Sequence, residues 1–231
     1  MAVLLGIETS TDACSVAISV DGHLEEDHRI VPRQHNALLL ECIDGLVRRL
    51  NIQLTDLDAL AFGRGPGSFT GLRIAAGVVQ GLALARALPV ICISTLQTIA
   101  ASAARLRPQA GGYVCVLRAR QGELYVGSYA AAVAGARGPA ESQPDMLVRE
   151  EDFQLPDAAR ADWVLVGSSE VLNELPGRIS VGFEDTVDAD PHASALLEIA
   201  LPRWMDGEGV SAENALPVYL QTQLPWRKTH D

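Results

Sequence analysis

Apolar and polar positions follow two rhythms along this chain. Residues 3–7 form a short apolar run containing Gly6-Ile7, and Glu8-Thr9-Ser10-Thr11-Asp12 then supplies turn-forming hydroxyls and carboxylates. From Cys14 to Val20 the apolar residues alternate with period two, so the chain opens as strand, tight turn, strand. Asp21-Gly22 is a hairpin signal. It returns 23–30 as a third strand whose acidic run, 25–27, marks an exposed edge that resists aggregation. Between Asn36 and Leu50 the rhythm becomes helical: Leu39, Ile43, Leu46 and Leu50 share one face, and Leu38, Cys42 and Val47 widen it enough to touch two surfaces. Leu57 to Phe62 is again a strand, followed by Gly63-Arg64-Gly65-Pro66-Gly67-Ser68-Phe69-Thr70-Gly71, in which Ser68 or Thr70 caps the next helix.

That helix, about 70–88, has only Arg73, Gln80 and Arg86 as long polar side chains, a pattern that predicts burial on every side. Gly77 and Gly81, with Ala76, Ala83 and Ala85 beside them, remove bulk where two mid-helix glycines cost roughly 1 kcal/mol each relative to Ala. The sheet covers one side, and a partner chain using the 36–50 helix as well is the expected cover for the rest. Residues 89–93 read as a buried strand and 95–105 as a helix, before Arg107-Pro108-Gln109-Ala110-Gly111-Gly112 marks a boundary. The opening pattern then repeats: strand 113–117, turn 118–122, alternating strand 123–130. This is the signature of a structural duplication. Residues 131–162 carry no readable period, 163–166 form a strand, 167–169 a turn, and 193–200 a short helix.

Charge narrows the function classes. Acidic residues number 29 against 18 basic ones, a formal net charge of −11, and no Lys/Arg cluster offers a phosphate-binding face, so tight stand-alone nucleic-acid binding is not expected. Lys228 is the single lysine, which excludes a lysine-dependent P-loop and a Schiff-base lysine in the body of the chain. Cys14, Cys42, Cys92 and Cys115 are widely spaced among apolar or small neighbours and read as reduced core thiols. The start lacks a basic leader, and no apolar run reaches the length of a membrane helix, so the expected compartment is the cytoplasm, away from any membrane.

Candidate chemistry is sparse. The glycine loop, Gly63, Gly65, Gly67, Ser68, Thr70 and Gly71, reads either as an anion cradle at a helix N-terminus or as a tight strand-to-helix turn. It fits neither G-x-G-x-x-G nor the Walker pattern. Glu8, Thr9 and Ser10 offer an acid and hydroxyls that in a duplicated fold face phosphates across a cleft, or simply bond within their turn, and the second hairpin carries Arg118 where a matching acid would stand. His23 and His28, five apart on a strand, point to opposite faces, and His35, His192 and His230 stand alone, so no metal site is expected. No serine sits in G-x-S-x-G.

Three segments carry a family resemblance: Gly6-Ile7-Glu8-Thr9-Ser10, the run from Gly63 through Gly71 to Leu72-Arg73-Ile74, and Ala215-Leu216-Pro217-Val218-Tyr219-Leu220. Together they resemble the bacterial TsaB (YeaZ) family of tRNA threonylcarbamoyladenosine biosynthesis, over essentially the whole chain. The resemblance implies an α/β, actin/Hsp70/sugar-kinase-like duplicated fold with a reduced second domain: 1–107, 108–212, and a segment 213–231 returning to the first. It also implies a non-catalytic, cofactor-free partner of the paralogue TsaD. In that scheme TsaC makes threonylcarbamoyl-adenylate, and TsaD transfers the group to the adenosine 3′ of the anticodon in tRNAs reading codons that start with A, with the ATPase TsaE also in the complex. The chain would meet tRNA only through the complex and pair with itself when TsaD is absent.

The paralogue's H-x-x-x-H metal pair falls near Thr95 and Ile99 here, which cannot replace imidazoles, and Arg118 departs from the family's Asp. The implied contacts are His35, Leu39, Cys42, Ile43 and Leu46 from the first helix and Arg73, Gly77 and Gln80 from the second. The alternative function is a nucleotide-dependent phosphotransferase or ATPase of the same superfold; a peptidase is disfavoured by the missing metal pair and nucleophile motif. Whether the tail residues Arg227 and Lys228 touch tRNA or are a solvated terminus stays open.

Overall fold

The computed structural model describes residues 2–120, 122–132, 138–154, 159, 161–175, 183 and 185–220. The tail residues Arg227, Lys228 and His230 and part of the 131–162 stretch lie outside these. Two five-stranded sheets repeat one plan. In the first, β1 (Val3–Glu8), β2 (Ala13–Val20) and β3 (His23–Ile30) form an antiparallel meander, and β4 (Ala59–Gly63) and β5 (Val90–Ile93) add in parallel, in the order β3-β2-β1-β4-β5. The second has β6 (Gly112–Arg120), β7 (Glu123–Ala130) and β8 (Ala140–Arg149) as the meander, then β9 (Trp163–Gly167) and β10 (Thr186–Asp188), in the order β10-β9-β6-β7-β8. The matching orders establish the duplicated actin/Hsp70/sugar-kinase-like fold class. Asp21 and Gly22 turn the first hairpin with left-handed φ values of 49° and 86°, the geometry that matches strand twist.

Helices α1 (His35–Arg49) and α2 (Phe69–Arg86) cover one face of the first sheet, where Leu39, Leu46, Ala75 and Val79 meet Leu5, Ile7, Val16 and Phe62. Its other face is covered by α5 (Ala193–Met205) through Leu196, Leu197 and Ile199, so β1 is buried along its whole length. Helix α3 (Thr95–Leu106), which follows the first sheet in the chain, packs Leu96, Ile99 and Ala103 on the second sheet, while α5 follows the second sheet and packs on the first. The halves therefore exchange helices. The chain packs on the first sheet from residue 193 onward, and Ala215, in the expected returning segment 213–231, lies in that sheet's core as well.

Three expectations change. The unreadable stretch contains β8, a ten-residue edge strand in which Pro144, Glu141 and Asp145 mask the strand rhythm, and proline is tolerated at an edge. The last helix runs through Pro202 to Met205 instead of ending at Ala200. Helix α2 buries only one side, Leu72, Ala75, Ala76, Val79 and Ala83, with the opposite side open.

Candidate functional site

The first turn and the glycine loop are one stitched unit. The Ser68 N–H donates to the Ser10 carbonyl at 2.7 Å, and the Thr9 hydroxyl donates to the Gly71 carbonyl at 2.8 Å. A Cβ at Gly63 would stand inside the Glu8 carboxylate, and one at Gly71 would overlap the Thr9 carbonyl oxygen. Ser68 caps α2, accepting from Gly71 N–H at 3.4 Å. The loop thus spends glycines and an N–H group on admitting the neighbouring turn, which favours the tight-turn reading over an anion cradle. Thr70, exposed on the first turn of α2, takes no part in this stitching.

Glu8 and Thr9 do not reach a cleft. Both are fully buried, and Glu8 Oε1 accepts the Ser10 N–H at 2.8 Å while Thr95 Oγ1 stands 3.5 Å from Oε2. Burial pushes the Glu8 carboxyl up to about 7, opposed by the hydrogen bonds from Ser10 and Thr95. Thr95 and Ile99, the positions of the paralogue's metal pair, are buried as well. Ser10 alone of the three lines the cavity between the halves, about 630 Å³, together with Asp12, Ser68, Arg118, Glu170 and Asp190. Arg118 is committed to ion pairs with Glu150 and, at 2.7 Å, Glu174. Its charge is neutralised, and three carboxylates line the remainder, so this cleft repels the phosphates that a kinase-like site attracts.

The other concave feature lies outside, between the start of α1 and α2. Asn36, Phe69, Thr70, Arg73, Ile74, Gly77 and Val78 line an open groove of about 490 Å³. Along α2 the exposed stripe runs Arg73, Gly77, Gly81, Leu84, with Leu84 78% exposed, and Leu40 on α1 is 62% exposed. Both glycines face open space. Of the predicted contacts, Arg73, Gly77 and the half-buried Gln80 are on or beside this stripe. His35, Leu39, Cys42, Ile43 and Leu46 are not: all five point into the first sheet, and His35 Nε2 lies 3.1 Å from the Ala13 carbonyl. The strongest apolar stripe of α1 is the one its own sheet claims, leaving Leu40 to the outside and the half-buried Val47 at the margin of the core.

The C-terminal strap borders the groove. Val218 N–H donates to the Arg64 carbonyl at 2.7 Å, and Gln80 Nε2 donates to the Ala215 carbonyl at 3.0 Å. Arg73 lies 3.8 Å over the Phe69 ring and donates to the Tyr219 hydroxyl at 3.1 Å.

One cluster escaped sequence reasoning. His28 of β3 stacks on His192, just before α5, with ring centroids 3.9 Å apart, and Glu26 joins them. Burial would raise Glu26, but hydrogen bonds from His192, the Ser194 N–H and Ser15 outweigh it and hold the carboxyl down at about 2. His28 is lowered by burial and by the charge of His192. The two histidines are far apart in the chain, and only the return of α5 to the first sheet unites them. The cysteines are free; burial pushes Cys14 up to about 12, as suits unreactive core thiols. No helix among the described residues is long and apolar enough to cross a membrane.

Comparison with known proteins bears on this geometry. The family model described as TsaD, tRNA N6-adenosine threonylcarbamoyltransferase, matches residues 27–222. The tRNA threonylcarbamoyladenosine biosynthesis protein TsaB of Escherichia coli is 36% identical over 97% of both chains, and that of Haemophilus influenzae is 32% identical over 97% of this chain and 96% of its own. The solved structure of YeaZ from Pseudomonas aeruginosa superposes with a TM-score of 0.85 at 36% identity, over 95% of this chain and all of the other.

Proposed function

Since the chain belongs to the TsaB (YeaZ) family of tRNA threonylcarbamoyladenosine biosynthesis proteins, we propose that it is the non-catalytic partner of a TsaD-type transferase. In that role it is required for threonylcarbamoyl transfer to the adenosine 3′ of the anticodon in tRNAs reading codons that start with A. The observation that carries the reading is the open face of α2 and α1: Arg73, Gly77, Gly81 and Leu84 with Leu40, a surface with glycines that admit a partner helix closely. The same face serves a homodimer when TsaD is absent.

The acidic cleft, with Arg118 already paired, supports a subunit that binds no nucleotide of its own. Contact with tRNA then comes only through the assembly, in the cytoplasm, with TsaE supplying ATP hydrolysis. The predicted contacts are Arg73, Gly77 and Gln80 on α2; on α1 they move to Leu40 and Val47.

The test is threonylcarbamoyl transfer to unmodified tRNA by TsaC, TsaD and TsaE with ATP, threonine and bicarbonate, with and without this chain. Modification is expected to depend on the chain, and the chain alone is expected to turn over no ATP. Equal product without it overturns the partner role, and ATP turnover by the purified chain supports the phosphotransferase alternative instead.

A further inference from the structure

On the face of the first sheet opposite α1 and α2, Glu26 and His28 of β3 meet His192 at the start of α5. One nitrogen of each ring and one Glu26 oxygen lie within 4.8 Å of one another, the one such three-donor cluster among the described residues. The carboxylate is held in a fixed orientation. Oε1 accepts from the Ser15 hydroxyl at 2.8 Å and the Ser194 N–H at 3.0 Å, and Oε2 accepts from the Ser194 hydroxyl at 3.0 Å. His192 Nδ1 is 3.0 Å from the same Oε2. Nδ1 of His28 is buried without a hydrogen-bond partner, an unmet demand that folded proteins rarely leave.

We propose that Glu26, His28 and His192 form a zinc site that clamps edge strand β3 to the start of α5. Two imidazoles and a carboxylate are a donor set suited to zinc, and water completes four-coordination. Tetrahedral zinc with bonds of about 2 Å sets its donors roughly 3.3 Å apart, close to the spacing His192 Nδ1 and Glu26 Oε2 already have. The His28 ring, stacked on His192 at 3.9 Å, has to turn out of that stack to present its nitrogen to the same ion. The hydrogen bonds from Ser15 and Ser194 supply the outer support that fixes a ligating carboxylate. An adjoining cavity of about 420 Å³ reaches His192; Asp188, Asp190 and Arg105 line it, and Glu198 already pairs with Arg105. Zinc takes the place of the proton between His192 Nδ1 and Glu26 Oε2, and the neutral imidazole then carries its one proton on Nε2.

The test is equilibrium binding of zinc chloride to the full chain, followed by titration calorimetry. One zinc per chain is expected. Affinity should fall roughly tenfold or more in His28→Asn and in Glu26→Gln, and stay unchanged in His23→Asn on the nearby hairpin. X-ray absorption on the zinc-loaded wild-type chain reads the site without any variant: two imidazoles and a carboxylate oxygen are expected in the first shell. No zinc retained at micromolar concentration, an affinity unmoved by His28→Asn and Glu26→Gln, or a shell with fewer than two imidazoles overturns the proposal and leaves the cluster a hydrogen-bonded staple.

Discussion

Replacing Gly77 and Gly81 by alanine should move two properties in opposite directions. Both glycines are in the interior of α2, neither has positive φ, and a Cβ built at either meets nothing within 4 Å. Inside this chain the added methyl therefore has only the helix-propensity gain, about 0.8–1.0 kcal/mol at each position and about 2 kcal/mol for the pair. For a chain of this size that raises Tm by roughly 4–8 °C. A partner helix seated on the glycines loses its close approach, and a loss of about 1.4 kcal/mol is already a tenfold weaker association. Melting followed over a dilution series separates the terms, because dimer formation itself raises apparent stability by mass action. Sedimentation, alone and with TsaD, reads the association. A double variant that melts higher and still assembles with unchanged affinity refutes the close-packed interface. One that melts lower when monomeric refutes the open face.

Glu8→Gln tests the buried carboxyl. With a folded-state value of about 7 against 4.5 unfolded, the folded chain holds the extra proton between those values, so its stability falls as pH rises through that window. The denaturant-derived advantage of the Gln variant should therefore grow from about pH 4.5 to above 7 and level off near 3 kcal/mol, and a pH-independent difference would sink the assignment. Gly65→Ala tests the strap: Gly65 has φ +106°, and a Cβ there would lie 2.8 Å from the Val218 carbonyl oxygen. It should cost about 2 kcal/mol and expose residues 213–220 to limited proteolysis, whereas wild-type cleavage rates would show that the strap is held elsewhere.

The meander, the β4–α2 turn and the repeat at residue 113 were legible because each is written in local rhythm: period two, a hairpin dipeptide, a glycine-rich turn before an apolar helix. What failed was the assignment of faces. Leu39, Ile43 and Leu46 were rightly read as one apolar stripe, but a stripe does not say whether a sheet or a partner covers it, and the sheet took the stronger one. Gly77 and Gly81 were expected to be tightly packed, and within this chain they are open. The glutamate–histidine cluster was illegible for another reason. His28 and Glu26 do share a strand face, as period two allows, but their third member comes from a helix that crosses back from the other half.

The duplication supplies its own comparison for the α2 face. Both halves must cover a five-stranded sheet, and among the described residues after β9 the second half offers α4 (Ser169–Glu174), six residues long, which buries Val171. After β4, at the equivalent place, the first half uses α2, 18 residues long, and precedes it with the 15-residue α1. Their outer stripe leaves Leu84 and Leu40 in water and carries two glycines that each weaken the helix. Those features oppose the stability of the isolated chain, and the proposed partner helix gives them a physical reason. The proposed binding face is thus a feature of the first half that the described residues of the second half do not repeat.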